Sequence, residues 1–211
     1  MTTARVRPVG PGPPANRMKV FGLTGGVGMG KTASERFLRS SGVPVVDTDV
    51  LARQIVEPGQ PAWEEIKRSF GDEIVGSDGG LCRERLAQIV FSDAAARRKL
   101  EAITHPRIRE RWLGQIEKWR AEGRSRAVVV VPLLFETNSE SQCDASICVA
   151  CTAATQRRRL LGRGWSADQI NQRNAAQWPI EKKMALADYV VWTEGGLDVL
   201  AGQLQRIIGA Q

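Results

Sequence analysis

Unbroken apolar runs alternate along the chain with stretches where apolar residues recur every three or four positions. The first run, Met18–Thr24, leads into glycines and reads as a buried strand. A helix follows from about Lys31 to Ser41 and stops at Gly42. Val43–Val46 is a short second strand ending at Asp47. From about Asp49 to Glu122 the pattern is mostly helical, with turns at Glu57-Pro58-Gly59 and over Gly76–Gly80. Within it Ile108, Trp112, Ile116 and Trp119 keep helical spacing, which makes the tryptophans packing residues, and Pro106 suits a first helical turn. Ala127–Val131, closed by Pro132, and Ala145–Ala150 are further buried strands. Two short helices are expected over about Thr155–Leu161 and Ser166–Gln177. Tyr189–Trp192 is a last strand, and Leu197, Leu200, Leu204 and Ile207 mark a final amphipathic helix.

Continuously apolar strands alternating with helices argue for an α/β fold, a parallel sheet covered on both faces. The long helical stretch and the later short helices read as two lobes attached to that core. No internal repeat is present.

Composition adds little until charge is located. The 211 residues suffice for one domain and are ordinary for a globular protein, at 42% hydrophobic and 25% charged. No run is long and apolar enough for a membrane span. The first 17 residues lack the apolar segment of a secretory signal and are rich in Pro and Gly, so a disordered leader and a cytoplasmic protein are expected. The net charge is +7, and 155–183 alone carries +5, through Arg157, Arg158, Arg159, Arg163, Arg173, Lys182 and Lys183 against Asp168 and Glu181. Such a lobe suits a polyphosphate or a nucleic acid, and a solvated helix face is an equal alternative. Cys148 and Cys151 have C-x-x-C spacing, but with no second pair and a single distant histidine they are not read as a zinc or redox site.

The strongest chemical signal is Gly25-Gly26-Val27-Gly28-Met29-Gly30-Lys31-Thr32, which matches G-x-x-x-x-G-K-(S/T) between a strand and a helix. Glycines let successive N–H groups turn toward phosphate oxygens, and the helix N-terminus adds partial positive charge. In that context Gly26 to Ala33 bind ATP, Lys31 reaches the β- and γ-phosphates, and the Thr32 hydroxyl ligates Mg2+. A guanine-reading Asn-Lys-x-Asp is absent, and the best buried strand ends in Pro132 instead of the Asp usual in ATPase motors. Asp47-Thr48-Asp49 follows the second strand, at the sheet edge where ligands bind. One carboxylate could accept a proton from an acceptor hydroxyl and the other could orient magnesium-bound water. Alternatively, Asp49 is a helix N-cap before Val50.

Several segments together resemble dephospho-CoA kinase. They are Leu23–Thr32, Val46–Gly59 with its D-x-D-x-x-A-R, His105-Pro106, Val129–Glu136 with V-P-L-L-x-E, Gln156-Arg157-Arg158, Arg163, Gln177 and Ala187-Asp188. The likeness covers nearly everything from Met18 to Ile208. It implies ATP-dependent phosphorylation of the ribose 3′-hydroxyl of dephospho-CoA, the last step of coenzyme A synthesis. It also implies a P-loop three-layer core of the nucleoside-monophosphate-kinase type, with a five-stranded parallel sheet. Segments 18–55, 124–154 and 184–211 would form the core, 56–123 a helical acceptor-binding lobe and 155–183 a short helical lid. By the same resemblance Asp49 is the general base, and Asp47 supports Asp49 or magnesium, directly or through water. Arg163 is a lid arginine, and His105, Pro132, Leu133, Leu134 and Glu136 border the acceptor.

Three departures stand out. The family's second loop hydroxyl is replaced by Ala33, Arg163 is followed by Gly164 instead of Asp, and Thr193-Glu194-Gly195 replaces a loop that usually holds asparagines. His105 can cap a helix ahead of Pro106 as readily as it can touch substrate. Expected partners are ATP and dephospho-CoA, with no nucleic acid or membrane and a monomer favoured. Two rivals remain: a kinase for another nucleotide-like acceptor, and a nucleic-acid-binding protein regulated by ATP.

Overall fold

The computed structural model describes residues 17–209. Apart from Arg17, the leader expected over the first 17 residues lies outside the described part. Five strands, β1 (Lys19–Gly25), β2 (Val45–Asp47), β3 (Arg126–Val130), β4 (Ala145–Ala150) and β5 (Tyr189–Trp192), form one sheet in the order β2-β3-β1-β4-β5. All pairings are parallel.

Side chains alternate across a strand, and this alternation builds two cores. Phe21, Leu23, Val45, Val128, Val130, Ile147 and Val149 face helices α1 (Lys31–Ser40) and α9 (Leu197–Gly209), meeting Leu38, Leu200 and Leu204. Val20, Val46, Ala127, Val129 and Val131 face the other way, onto Trp112 and Ile116. The result is a three-layer α/β fold, with the carboxyl ends of β1, β2 and β3 opening on one edge.

Helices α2 (Thr48–Gln54), α3 (Pro61–Phe70), α4 (Arg83–Ser92) and α5 (Ala94–Ala121) fill the long stretch between β2 and β3. They carry a small core of their own, Ile55, Ala62, Ile66, Ile74, Leu86 and Ile103. Pro106 does not begin a helix. It lies inside the 28-residue α5. Its ring removes one backbone donor, the partner of the Ala102 carbonyl, and Ala102 is exposed to water. The Thr104 hydroxyl donates to the Leu100 carbonyl at 2.9 Å, and the Arg107 guanidinium to that of Ile103 at 2.6 Å. The helix continues because Ile103 is anchored in the small core and Trp112 and Ile116 in the sheet core. His105 is therefore mid-helix, and its expected capping alternative is withdrawn.

Three helices connect β4 to β5: α6 (Ala153–Leu161), α7 (Ala167–Ala175) and α8 (Ile180–Leu186). Ser166 starts α7 with a capping box closed by Gln169. The third of these, α8, was not separated in the sequence pattern. Among the described residues no helix is long and apolar enough to cross a membrane.

Candidate active site

The loop between β1 and α1 is curled by glycines, three of them in backbone conformations that other residues rarely adopt. A Cβ on Gly25, at φ 148°, would sit 2.2 Å from the Val149 carbonyl oxygen. Gly30, at φ 111°, occupies the left-handed region immediately before α1, and Thr193 packs against it. The Lys31 ammonium folds back onto the loop, donating to the carbonyls of Gly25 at 2.7 Å and Gly26 at 3.0 Å. Burial, reinforced by repulsion from Lys183, pushes its pKa down to about 8, against the attraction of Asp49 and Asp47. A pocket of about 380 Å³ is lined by Gly26, Val27, Gly28, Gly30, Lys31, Thr32 and Ala33, with Arg159, Arg163 and the loop from Thr193 to Leu197 opposite. Met29 is the one member of the expected ATP set turned inward. It is buried, and its sulfur fills the space beside Gly26.

A second cavity, about 680 Å³, opens beside the first and is larger and more apolar. Ala52, Val56, Ile66, Leu86, Ile108 and Trp112 line its depth, and Arg53, Arg83 and Arg109 lie along it. Asp49, His105, Pro132 and Leu133 all reach this cavity. The Asp47 carboxylate caps α2 by accepting the Asp49 backbone N–H at 2.8 Å, so Asp47, not Asp49, is the N-cap. The buried Thr48 hydroxyl donates to the Val130 carbonyl at 3.0 Å and pins the same turn to β3. Asp49 is thus presented at a fixed point on the wall of the larger cavity. It is open to solvent through the cleft mouth, yet its carboxyl is flanked by protein. That desolvation, then the charge of Asp47, raises its pKa from the ordinary aspartate value, with Lys31 and Arg53 opposing.

Two residues expected at the acceptor do not reach it. Leu134 is fully buried in the sheet core. Glu136 points away from the cavity, toward α8 and the turn before it, where it pairs with the buried Lys183 at 2.8 Å and accepts the Trp178 N–H at 2.9 Å. The turn after Pro132 rotates these side chains inward, while Leu133 keeps to the cavity.

The structure gives contacts to residues that the sequence named without a role. The Gln156 amide donates to the Val27 carbonyl at 2.8 Å and to Asn174 at 3.0 Å, joining α6 to the phosphate loop and to α7. Arg159 donates to the Thr193 hydroxyl at 2.8 Å, and that hydroxyl donates to the Met29 carbonyl at 2.9 Å. Glu194 accepts from the Thr152 N–H and, at 2.8 Å, from the Thr155 hydroxyl, at the start of α6. Those bonds, the Thr152 N–H first, lower its pKa. A signal for the inward face of α6 was present: Gln156, Arg159 and Leu160 fall on one stripe of the helix, whereas Arg157 and Arg158 are exposed.

All four cysteines are unbridged, and burial pushes Cys148 up to about 11, leaving an inert thiol.

Comparison with known proteins fits this geometry. The model of the dephospho-CoA kinase family matches residues 19–198. A dephospho-CoA kinase of Anaeromyxobacter dehalogenans is 44% identical over 192 residues, covering 90% of this chain and 91% of its own. One from Bdellovibrio bacteriovorus is 40% identical over 191 residues, 90% of this chain and 95% of that one. A crystal structure from Thermus thermophilus superposes with a TM-score of 0.81 at 33% identity, covering 91% of this chain and 97% of its own. A Campylobacter jejuni dephospho-CoA kinase shares the fold, with a TM-score of 0.67 at 23% identity over 90% of this chain and 95% of that one.

Proposed function

The chain belongs to the dephospho-CoA kinase family, and on that premise we propose how its residues divide the ATP-dependent phosphorylation of dephospho-CoA. ATP occupies the pocket around Lys31, with its phosphates against the N–H groups of the loop from Gly26 to Ala33. Dephospho-CoA enters the larger cavity, its ribose 3′-hydroxyl at Asp49 and its remaining parts along His105, Pro132, Leu133 and the apolar wall. Segment 56–123 then serves as the acceptor lobe and 155–183 as the lid.

The observation that carries this reading is the placement of Asp49. It lines the acceptor cavity, and its charge is felt by Lys31 in the nucleotide pocket. The 3′-oxygen attacks the γ-phosphorus, the bond to ADP breaks, and Asp49 takes the hydroxyl proton. A raised pKa suits a carboxylate for that task. Lys31, with Arg163 and Arg159 from the lid, neutralises charge on the phosphoryl group in flight. The Thr32 hydroxyl and the Asp47 carboxylate are hard oxygen donors fitted to Mg2+, with Asp47 acting directly or through water. Among the described residues no cluster of three metal-ligating side chains forms a dedicated site, which suits a cation that arrives with ATP. Bound there, Mg2+ would neutralise phosphate charge. Closure of the lid excludes water that would otherwise take the phosphoryl group.

Incubation with ATP, Mg2+ and either dephospho-CoA or nucleoside monophosphates tests the acceptor. Product gaining one phosphate on the 3′-hydroxyl is expected only with dephospho-CoA. Equal or better turnover of a nucleoside monophosphate would reassign the acceptor. We further infer that the lid does not serve a nucleic-acid partner, because Arg159 and Arg163 line the nucleotide pocket. Salt-sensitive binding of a random oligonucleotide would contradict that.

A further inference from the structure

We propose that Lys183 is a positioning residue for phosphoryl transfer, a buried tie that holds the acceptor wall and the far end of the lid to the strand feeding the phosphate loop. The proposal rests on the reading of the two cavities given above.

Lys183 is fully buried. Its ammonium donates to the Pro132 carbonyl at 2.8 Å and pairs with Glu136 at 2.8 Å. The same Pro132 carbonyl accepts the Thr24 hydroxyl at 3.0 Å, one residue before the phosphate loop begins. Glu136 in turn accepts the backbone N–H of Trp178, between α7 and α8. One ammonium thus connects β1, the acceptor wall at Pro132 and the end of the lid segment. The charged and titratable groups facing it are Glu136, Lys31 and Cys148. A buried pair is a costly way to gain stability, and here the second Glu136 oxygen is buried without a partner. That cost has a purpose if the pair fixes geometry. Pro132 borders the acceptor while Trp178 terminates the helices that bring Arg159 and Arg163 over ATP, so slack in the tie separates the two halves of the site.

Slack should let water compete with the 3′-hydroxyl. The readout is ADP formed per phosphorylated acceptor, beside the melting temperature. The wild type must first make product with dephospho-CoA; failure there sinks the functional reading, not the tie. Lys183→Met orphans the Glu136 charge and should melt early. Lys183→Met with Glu136→Gln removes that charge and should recover much of the melting temperature. Acceptor phosphorylation by the double variant should still fall about tenfold to a hundredfold, with several ADP released per product and near-normal KM for ATP. If the double variant does not fold, Glu136→Gln alone should raise the ratio in the same direction. A ratio equal to wild type in a folded variant, or hydrolysis and transfer falling in proportion, would overturn the proposal.

Discussion

The pocket around Lys31 takes half of its wall from one short segment, Gly26–Ala33, while the cavity in front of Asp49 collects side chains from α2, α3, α4, α5 and the turn after β3. In the proposed division the first would recognise with backbone N–H groups and one lysine, so glycine spacing almost defines it. The second would recognise with shape and an apolar wall, and it exists only once Trp112, Ile108 and Leu86 have been packed from distant parts of the chain. Asp49 belongs to the second by position and reaches the first by charge. A local motif can specify how phosphate is held, but the choice of acceptor is a property of the assembled lobe.

That contrast can be broken at its joint. Asp49→Asn should lower kcat by about 10²–10⁴-fold while ATP affinity, measured by calorimetry, changes little. Unchanged turnover would remove Asp49 from the proton step. Lys31→Ala attacks the nucleotide side alone. It should cost about 10²–10³-fold in kcat/KM for ATP and weaken ATP binding, with acceptor binding spared; full activity would sink the phosphate-loop assignment.

A pH titration sharpens the same division. In the ligand-free protein burial holds Lys31 at about 8, and bound phosphate favours its charged form. Below that pH the lysine is already protonated and affinity should be flat. Above it, binding must take up a proton, so affinity should fall by about tenfold per pH unit. Acceptor affinity should not follow. Proton uptake on ATP binding, seen as a buffer-dependent heat near pH 8.5, is the matching signature, and its absence would contradict the shift. The smallest effect expected is at His105. His105→Ala should raise the acceptor KM by about twofold to tenfold and leave the KM for ATP alone; a change on the ATP side instead would move His105 out of the acceptor wall.

The same two regions explain what could be read in advance. The order of strands and helices followed from apolar runs and periodicity, because each strand of a doubly covered sheet is hydrophobic along its length. Lys31 and Thr32 were fixed by a motif whose spacing is set by phosphate geometry. Pro106 was misread because local proline chemistry favours a helix start, whereas tertiary anchoring at Ile103, Trp112 and Ile116 carries the helix through it. Leu134 and Glu136 were drawn to the acceptor with Leu133, but which side chain of a turn faces a cavity depends on packing that no local pattern encodes. Arg53, Arg83 and Arg109 lie in three different helices, α2, α4 and α5, and come to one cavity only in the fold. Gln156 and Arg159 were legible as one helical face; what they touch, Val27 and Thr193, was not.

The most direct test of two cavities meeting at one carboxylate is the binding of a bisubstrate compound, with ATP and dephospho-CoA joined through a shared phosphate chain at the 3′-oxygen. Occupying both cavities at once, it should bind at least about 10²-fold more tightly than either substrate and be displaced by each of them. Affinity no greater than that of ATP, or displacement by ATP alone, would mean that the acceptor does not lie in the cavity beside Asp49.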